Sequence, residues 1–470
     1  MTQPDPAIRK YTQITISIAY FFVPFMASAL NLSLPSIGRE FGANIYLLSW
    51  VTTGYILAAA VLLIPFGRLS DIRGRKKIFF WGVTLLSFSA LLCGFAWSLE
   101  ALIFFRMLQG TGASMIFATG MAILTSAFPP QERGKVLGIN AACVYFGQSM
   151  APVLGGSLTH YLGWRSIFFL MFIAGLLIMY FVFFKLQAEW AEAWGEKYDT
   201  SGALLYSTGL VLFIYGLSSL SKWGGGKYLL VIGIMVLILF SRHEARVTHP
   251  ILHVGLFTEN ITFAFSNLAA LINYSATFAT AFLLSMYLQV CRGYDAQIAG
   301  LILLAQPMIM ATCSPFMGRL SDRIQPRIVA SWGMALTSLG LILFSFLQGD
   351  TPIWILMINQ AIIGVGISLF ITPNNNAIMS SVSSRYYGVA SSTIGTMRLT
   401  GQTISMALVT LVVTLIAGNI EINPVYADLL LTSTKVSFMA FAVICFGGIF
   451  ASLARGNLKG RAGTLSESKL

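Results

Sequence analysis

Arg106 and Arg398 are the only charged residues more than a helical turn inside any long apolar run of this sequence. A guanidinium is costly to hold among apolar side chains, so an intramembrane arginine faces a polar interior and marks either function or polar packing. Among the uncharged polar side chains of the apolar runs, those expected to line a cavity are Asn31, Tyr55, Gln109, Asn140, Gln148, Asn273, Tyr274, Gln306 and Gln402. Each can line a solute cavity with Arg106 and Arg398, or make a hydrogen bond between helices. None of the 17 acidic residues falls inside a run, and no histidine falls mid-run. Proton relays in membranes are built from buried Asp, Glu or His. The interior should therefore be neutral to positive, accepting anionic or neutral amphipathic solutes in preference to permanent cations. His243, His249 and His253 have no metal-site spacing and read as a surface loop, and the five scattered cysteines fit neither a metal site nor a disulfide framework.

The elements that must position these groups are helices in a bilayer. The 470 residues are 56% hydrophobic and only 10% charged, with mean hydropathy +0.78. A water-soluble fold of this size cannot hide that much apolar surface. The runs are continuous rather than alternating, which excludes an outer-membrane barrel. Runs of spanning length lie near 13–35, 45–67, 78–98, 101–126, 136–159, 166–186, 202–221, 228–241, 260–289, 296–317, 328–347, 353–375, 387–414 and 434–455, with 228–241 the shortest. The expectation is an all-α protein of fourteen spans, its first run an uncleaved helix. With the N-terminus inside, only Arg39, Arg165, Lys222, Lys227, Arg292 and Lys435 face outward; every other lysine and arginine, apart from Arg106 and Arg398, is cytoplasmic. That bias puts both termini in the cytoplasm and makes the net charge of +12 a sign of topology, not of nucleic-acid binding.

Gly67-Arg-Leu-Ser-Asp71 recurs as Gly318-Arg-Leu-Ser-Asp322. Two six-helix bundles, 1–186 and 258–456, joined by a linker with two extra helices over 187–257 and followed by a tail over 457–470, fit that repeat, and repeats around a midplane site are the plan of secondary transporters. The connector from Lys185 to Ser201, with Glu189, Glu192 and Glu196, reads as solvated and partly helical. Asp71 beside Arg73, Gly74 and Arg75 can form a charge-assisted latch at a helix end that breaks when helices move. Asp322 and Arg323 repeat it more weakly, because Gln325 and Pro326 replace a glycine and a basic residue. In the fifth run Gly138, Gly147, Gly155 and Gly156 allow close helix approach, and Pro152 permits a kink.

The 67–77 segment resembles the signature of the major facilitator superfamily, with Ile72 where a basic residue is usual. Leu102-Ile-Phe-Phe-Arg106-Met-Leu-Gln109-Gly110-Thr-Gly112 resembles that family's fourth-span motif. Gly138, Gly147, Pro152, Gly155 and Gly156 match its antiporter motif, with Ala151 in place of a glycine. With the central helix pair, these features resemble the fourteen-span drug:proton antiporter branch. The resemblance implies a monomeric, multi-pass plasma (inner) membrane exporter that works by alternating access on a small-molecule substrate, with membrane lipid around it and a proton as candidate coupling ion. It implies no cofactor and no nucleic-acid partner. Met26 stands where the branch commonly carries an aspartate, which argues against carboxylate-driven exchange. Uptake or uniport of an organic anion near Arg398 is the alternative. An intramembrane enzyme would need a reactive group at depth, and ATP-driven transport a phosphate-binding loop; the sequence offers neither.

Overall fold

The computed structural model describes residues 6–41, 45–186, 188–218, 225–252, 255–294, 296–417 and 427–456. The tail over 457–470 and His253 lie outside them. Among the described residues every regular element is a helix. In the first half these are α1 (Pro6–Phe41), α2 (Ile45–Arg73), α3 (Arg75–Gly94), α4 (Leu99–Ala127), α5 (Pro130–Met150), α6 (Gly156–Leu162), α7 (Arg165–Phe184), α8 (Thr200–Ser218) and α9 (Gly226–Glu244). Then come α10 (Gly255–Thr258), α11 (Ile261–Thr277), α12 (Thr280–Met286), α13 (Ala296–Leu303), α14 (Ala305–Arg323), α15 (Pro326–Ser345), α16 (Ile353–Ser380), α17 (Tyr387–Ala417) and α18 (Ala427–Leu453).

Twelve of the described helical stretches are long and apolar enough to cross a membrane, Gly226–Glu244 among them. Two expected spans do not meet that standard. The 136–159 run is helical but carries four glycines with Asn140 and Gln148, and a π-helical turn over Ala151–Gly155 interrupts it between α5 and α6. The 202–221 run is apolar only over Thr200–Gly216.

Helices overshoot the apolar runs, and this corrects the placement of the acids. Asp71 and Glu244, read from the sequence as loop residues, lie on the last turns of α2 and α9 and are buried, with 0% and 3% exposure. Asp322, Glu100 and Asp428 are likewise helical, within two residues of a span end. The last turn of a helix offers free carbonyls rather than amides, so the compensation is tertiary: Asp71 meets Arg75 and the first-turn amides of α17, and Glu244 meets the Leu252 amide. The connector before α8 is corrected too. It carries a turn over 192–195 and no helix between 188 and 199, and two of its glutamates are bound to protein groups, as described below.

The chain divides into two compact units, one of residues 1–211, 235–254 and 382–396, the other of 212–234, 255–381 and 397–470. Each is closed by glycine crossings. In the first, a Cβ on Gly112 would sit 2.8 Å from the Gly82 carbonyl oxygen, so α3 and α4 touch backbone to backbone. In the second, a Cβ on Gly333 would sit 2.6 Å from the Gly366 oxygen, the same crossing between α15 and α16. Membrane helices gain by such van der Waals contact because lipid offers no hydrophobic drive between them.

Candidate functional site

The Gly67–Arg75 segment is no loop. It is the last two turns of α2, a one-residue break at Gly74, and the start of α3. Gly74 has φ +108°, a conformation that L side chains rarely adopt, which is why a glycine stands at this break. Asp71 accepts from Arg75 Nε at 2.9 Å and Nη2 at 2.7 Å, and from the backbone N–H groups of Gly388 at 2.9 Å and Val389 at 3.2 Å. The last two belong to the first turn of α17, so the carboxylate caps that helix where its free amides and dipole favour negative charge. Arg75 also donates to Ser126 Oγ at 2.7 Å and to the Ser384 carbonyl. Gly67 faces Gly388 with no room for a side chain: a Cβ on Gly388 would lie 2.4 Å from the Gly67 oxygen. The latch residues Gly67, Asp71, Gly74 and Arg75 are thus brought together, while Arg73 is exposed.

Sequence reasoning missed the rest of this knot. Glu189 accepts from the Lys76 and Lys77 amides at 2.9 and 3.2 Å, capping α3. Glu196 binds Arg68, Arg385 and His249. Burial pushes the Glu196 carboxyl up, but Arg68 and Arg385 outweigh it and hold the group below its ordinary range. Tyr387 lies 5.4 Å from both the Arg75 and Arg133 guanidinium carbons. The available signal was a connector with alternating glutamates and tryptophans beside a basic segment.

The second copy is built differently. Ser321 Oγ donates to the Gly318 carbonyl at 2.8 Å, as Ser70 does to Gly67 at 2.7 Å. Beyond that the copies part: Asp322 is half-buried and Arg323 exposed. The break before α15 falls at Ile324 and Gln325, with Gln325 accepting from Arg327 Nε at 3.0 Å.

Within the spans of the first unit, Arg106, Gln109 and Tyr55 form one cluster. Arg106 is 1% exposed, donates from Nε to the Val51 carbonyl at 3.0 Å and from Nη1 to Gln109 Oε1, and its guanidinium lies 4.2 Å from the centre of the Tyr55 ring. Gln109 Nε2 reaches Met26 Sδ at 3.2 Å. A thioether therefore occupies the place a carboxylate could take. Asn140 is buried and Gln148 exposed; the side chains of Asn31 and Pro152 lie outside the described residues. Of the α5–α6 glycines, Gly138 is buried, Gly147 packs on the Phe21 carbonyl, Gly155 packs on Ala29, and Gly156 meets nothing within 4 Å.

In the second unit, Gly401 sets α17 against α11, its hydrogen side facing the Leu271 carbonyl and Tyr274 Cβ. Arg398 and Gln402, half-buried, flank this contact, and Tyr274 feels the Arg398 charge. Asn273 is fully buried, with no hydrogen-bond partner for either amide atom among the described residues. Gln306 stands apart on α14, half-buried, 3.9 Å from Met310 Sδ.

Residues 16–241 and 267–468 match the sequence profile described as Major Facilitator Superfamily. The chain is 28% identical over 385 residues to the riboflavin transporter RibZ of Clostridioides difficile, covering 82% of this chain and 84% of that one. It is 28% identical over 402 residues to the multidrug resistance protein Stp of Mycobacterium tuberculosis, covering 84% and 74%. It is 29% identical over 402 residues to the cephamycin export protein CmcT of Amycolatopsis lactamdurans, covering 83% and 82%. Among solved structures, the human organic anion transporter MFSD10 (TETRAN) superposes with a TM-score of 0.67 at 13% identity, over 95% of this chain and 98% of that one, a likeness of fold.

Proposed function

The chain belongs to the Major Facilitator Superfamily and is a membrane transporter of small molecules, not an enzyme; we propose that it exports small amphipathic compounds that are neutral or anionic. One observation carries the reading of charge. The described spans hold Arg106 and Arg398 at depth, and no Asp or Glu more than two residues inside a span end. A permanent cation entering such an interior meets like charge without a counter-ion, at a cost that grows as the dielectric falls. An anion or a polar neutral solute finds guanidinium and amide donors.

Export is supported by the antiporter-type glycines, two of which press α5 and the following turn onto α1, and by relatives whose names state drug resistance or export. The fourteen-span reading with both termini inside, a monomer in the plasma membrane and alternating access of two six-helix bundles all belong to this proposal. So does the assignment of Arg398, Gln402, Asn273 and Tyr274 to solute binding. A riboflavin transporter among the relatives keeps uptake or uniport of an organic solute near Arg398 as the second reading. Counterflow in proteoliposomes, with and without a pH gradient, separates the two. Flux against the solute gradient that requires the pH gradient supports coupled export; equal flux without it supports uniport.

A further inference from the structure

We propose that Glu244 and Asp199 share a bound proton, forming a proton site at the end of the α8/α9 hairpin that the transport reading does not use. The helices pair antiparallel through small residues: Gly209 lies against Leu237, and Gly202 against Glu244. A Cβ placed on Gly202 would meet Glu244 Oε1 at 2.1 Å and Asp199 Oδ2 at 2.5 Å, so the two carboxyl oxygens crowd one point over that glycine. The two oxygens face one another over that glycine, yet each carboxylate oxygen is an acceptor and Glu244 Oε1 has no donor among the described residues.

The other oxygens are occupied. Asp199 Oδ1 accepts from the Gly202 amide at 3.0 Å, capping α8, and Oδ2 lies 2.9 Å from His243 Nε2. Glu244 Oε2 accepts from the Leu252 amide at 2.9 Å, with the Ile251 amide beside it. One vacancy remains, and it is a donor. Two carboxylates this close, one of them only 3% exposed, do not both ionise; a proton on Glu244 Oε1, donated to Asp199, satisfies every oxygen. No cation other than a proton is called for, because no group of three His, Cys, Asp or Glu is placed to hold a metal among the described residues. The charged and titratable groups around the pair are His243 on α9, Tyr198 ahead of α8 and Arg73 on α2. Elsewhere on the connector, Glu196 is paired with Arg68 and Arg385 and lies against His249.

The site ties the entry to α8 to the exit from α9 and to the segment that folds back to Leu252. A folded chain that holds a proton the unfolded chain releases loses stability as pH rises. The test is the thermal midpoint of the purified full-length protein from pH 5.5 to 8.5, in wild type, Glu244→Gln and Gly202→Ala. Wild type should lose about 2–4 °C across this range. Glu244→Gln, whose amide supplies the missing donor permanently, should equal wild type at low pH and stay flat; Gly202→Ala, which forces the carboxyls apart, should be less stable at low pH. A Glu244→Gln profile parallel to wild type, or displaced equally at every pH, overturns the proposal. Should that variant fail to fold, difference infrared spectroscopy of the wild type decides: a protonated carboxylic-acid carbonyl band that disappears at high pH supports the site, and its absence at low pH overturns it.

Discussion

The two copies of Gly-Arg-Leu-Ser-Asp share five residues and a serine-to-glycine hydrogen bond, and only one of them makes a buried latch. In the first copy, Gly74 turns the chain so that Arg75 folds back on Asp71, and both are fully buried. In the second, Ile324 and Gln325 occupy the break, Pro326 stands where Arg75 does, and Asp322 stays half-buried. A repeated sequence thus fixes a helix end, while the residues after it decide how deeply its acid is buried. Ser384, Gly388 and Val389 complete the first latch from more than 300 residues away in sequence.

The largest asymmetry is expected on removing the acids. Asp71→Asn leaves Arg75 buried without its counter-ion, a loss of about 3–5 kcal/mol, and should reduce flux at least tenfold. Asp322→Asn, at a half-buried position, should cost less than Asp71→Asn. Thermal unfolding and proteoliposome flux on both variants check the contrast, and equal losses would break it. Next comes packing. Gly67→Ala drives a Cβ to 2.6 Å from the Gly388 carbonyl, and overpacking of this kind costs about 1–3 kcal/mol, measurable as a lowered thermal midpoint.

A smaller effect concerns pH. Glu196 is held ionised by Arg68 and Arg385, so its folded-state pKa lies below the unfolded value. Its contribution is present above the ordinary glutamate range and is lost as pH falls through the folded value. Glu196→Gln should therefore be less stable than wild type at pH 7, with the difference narrowing toward pH 4 in thermal unfolding. Smallest of all, Arg323→Ala removes an exposed side chain of the second copy and should change stability by no more than about 0.5 kcal/mol.

Helix identity was legible in the sequence because twenty apolar residues in lipid leave the backbone no alternative. The pairing of Asp71 with a nearby arginine was legible as a candidate from the spacing, but not that Arg75 takes it while Arg73 is exposed. Helix ends were not. Asp71 and Glu244 looked like loop residues because hydropathy falls where a helix leaves the apolar layer, although its hydrogen bonds continue for another turn. Glu189 and Glu196 looked solvated because composition cannot show which distant amides and guanidinium groups a connector meets. The equivalence of the crossings at Gly82 and Gly333, each fifteen residues after the first glycine of its repeat, was visible in the spacing, but only the backbone contacts give it meaning.

The charge of the transported solute is the point on which the functional account turns. Full-length protein in proteoliposomes can be offered a matched series of amphipathic solutes, anionic, neutral and permanently cationic, alongside Arg398→Ala. Movement of the anionic and neutral members but not the cation is expected, with anion flux falling about tenfold in the variant, equivalent to about 1.4 kcal/mol, and neutral flux little changed. Accumulation of the permanent cation at a comparable rate, or flux of every accepted solute unaltered by the substitution, would contradict it.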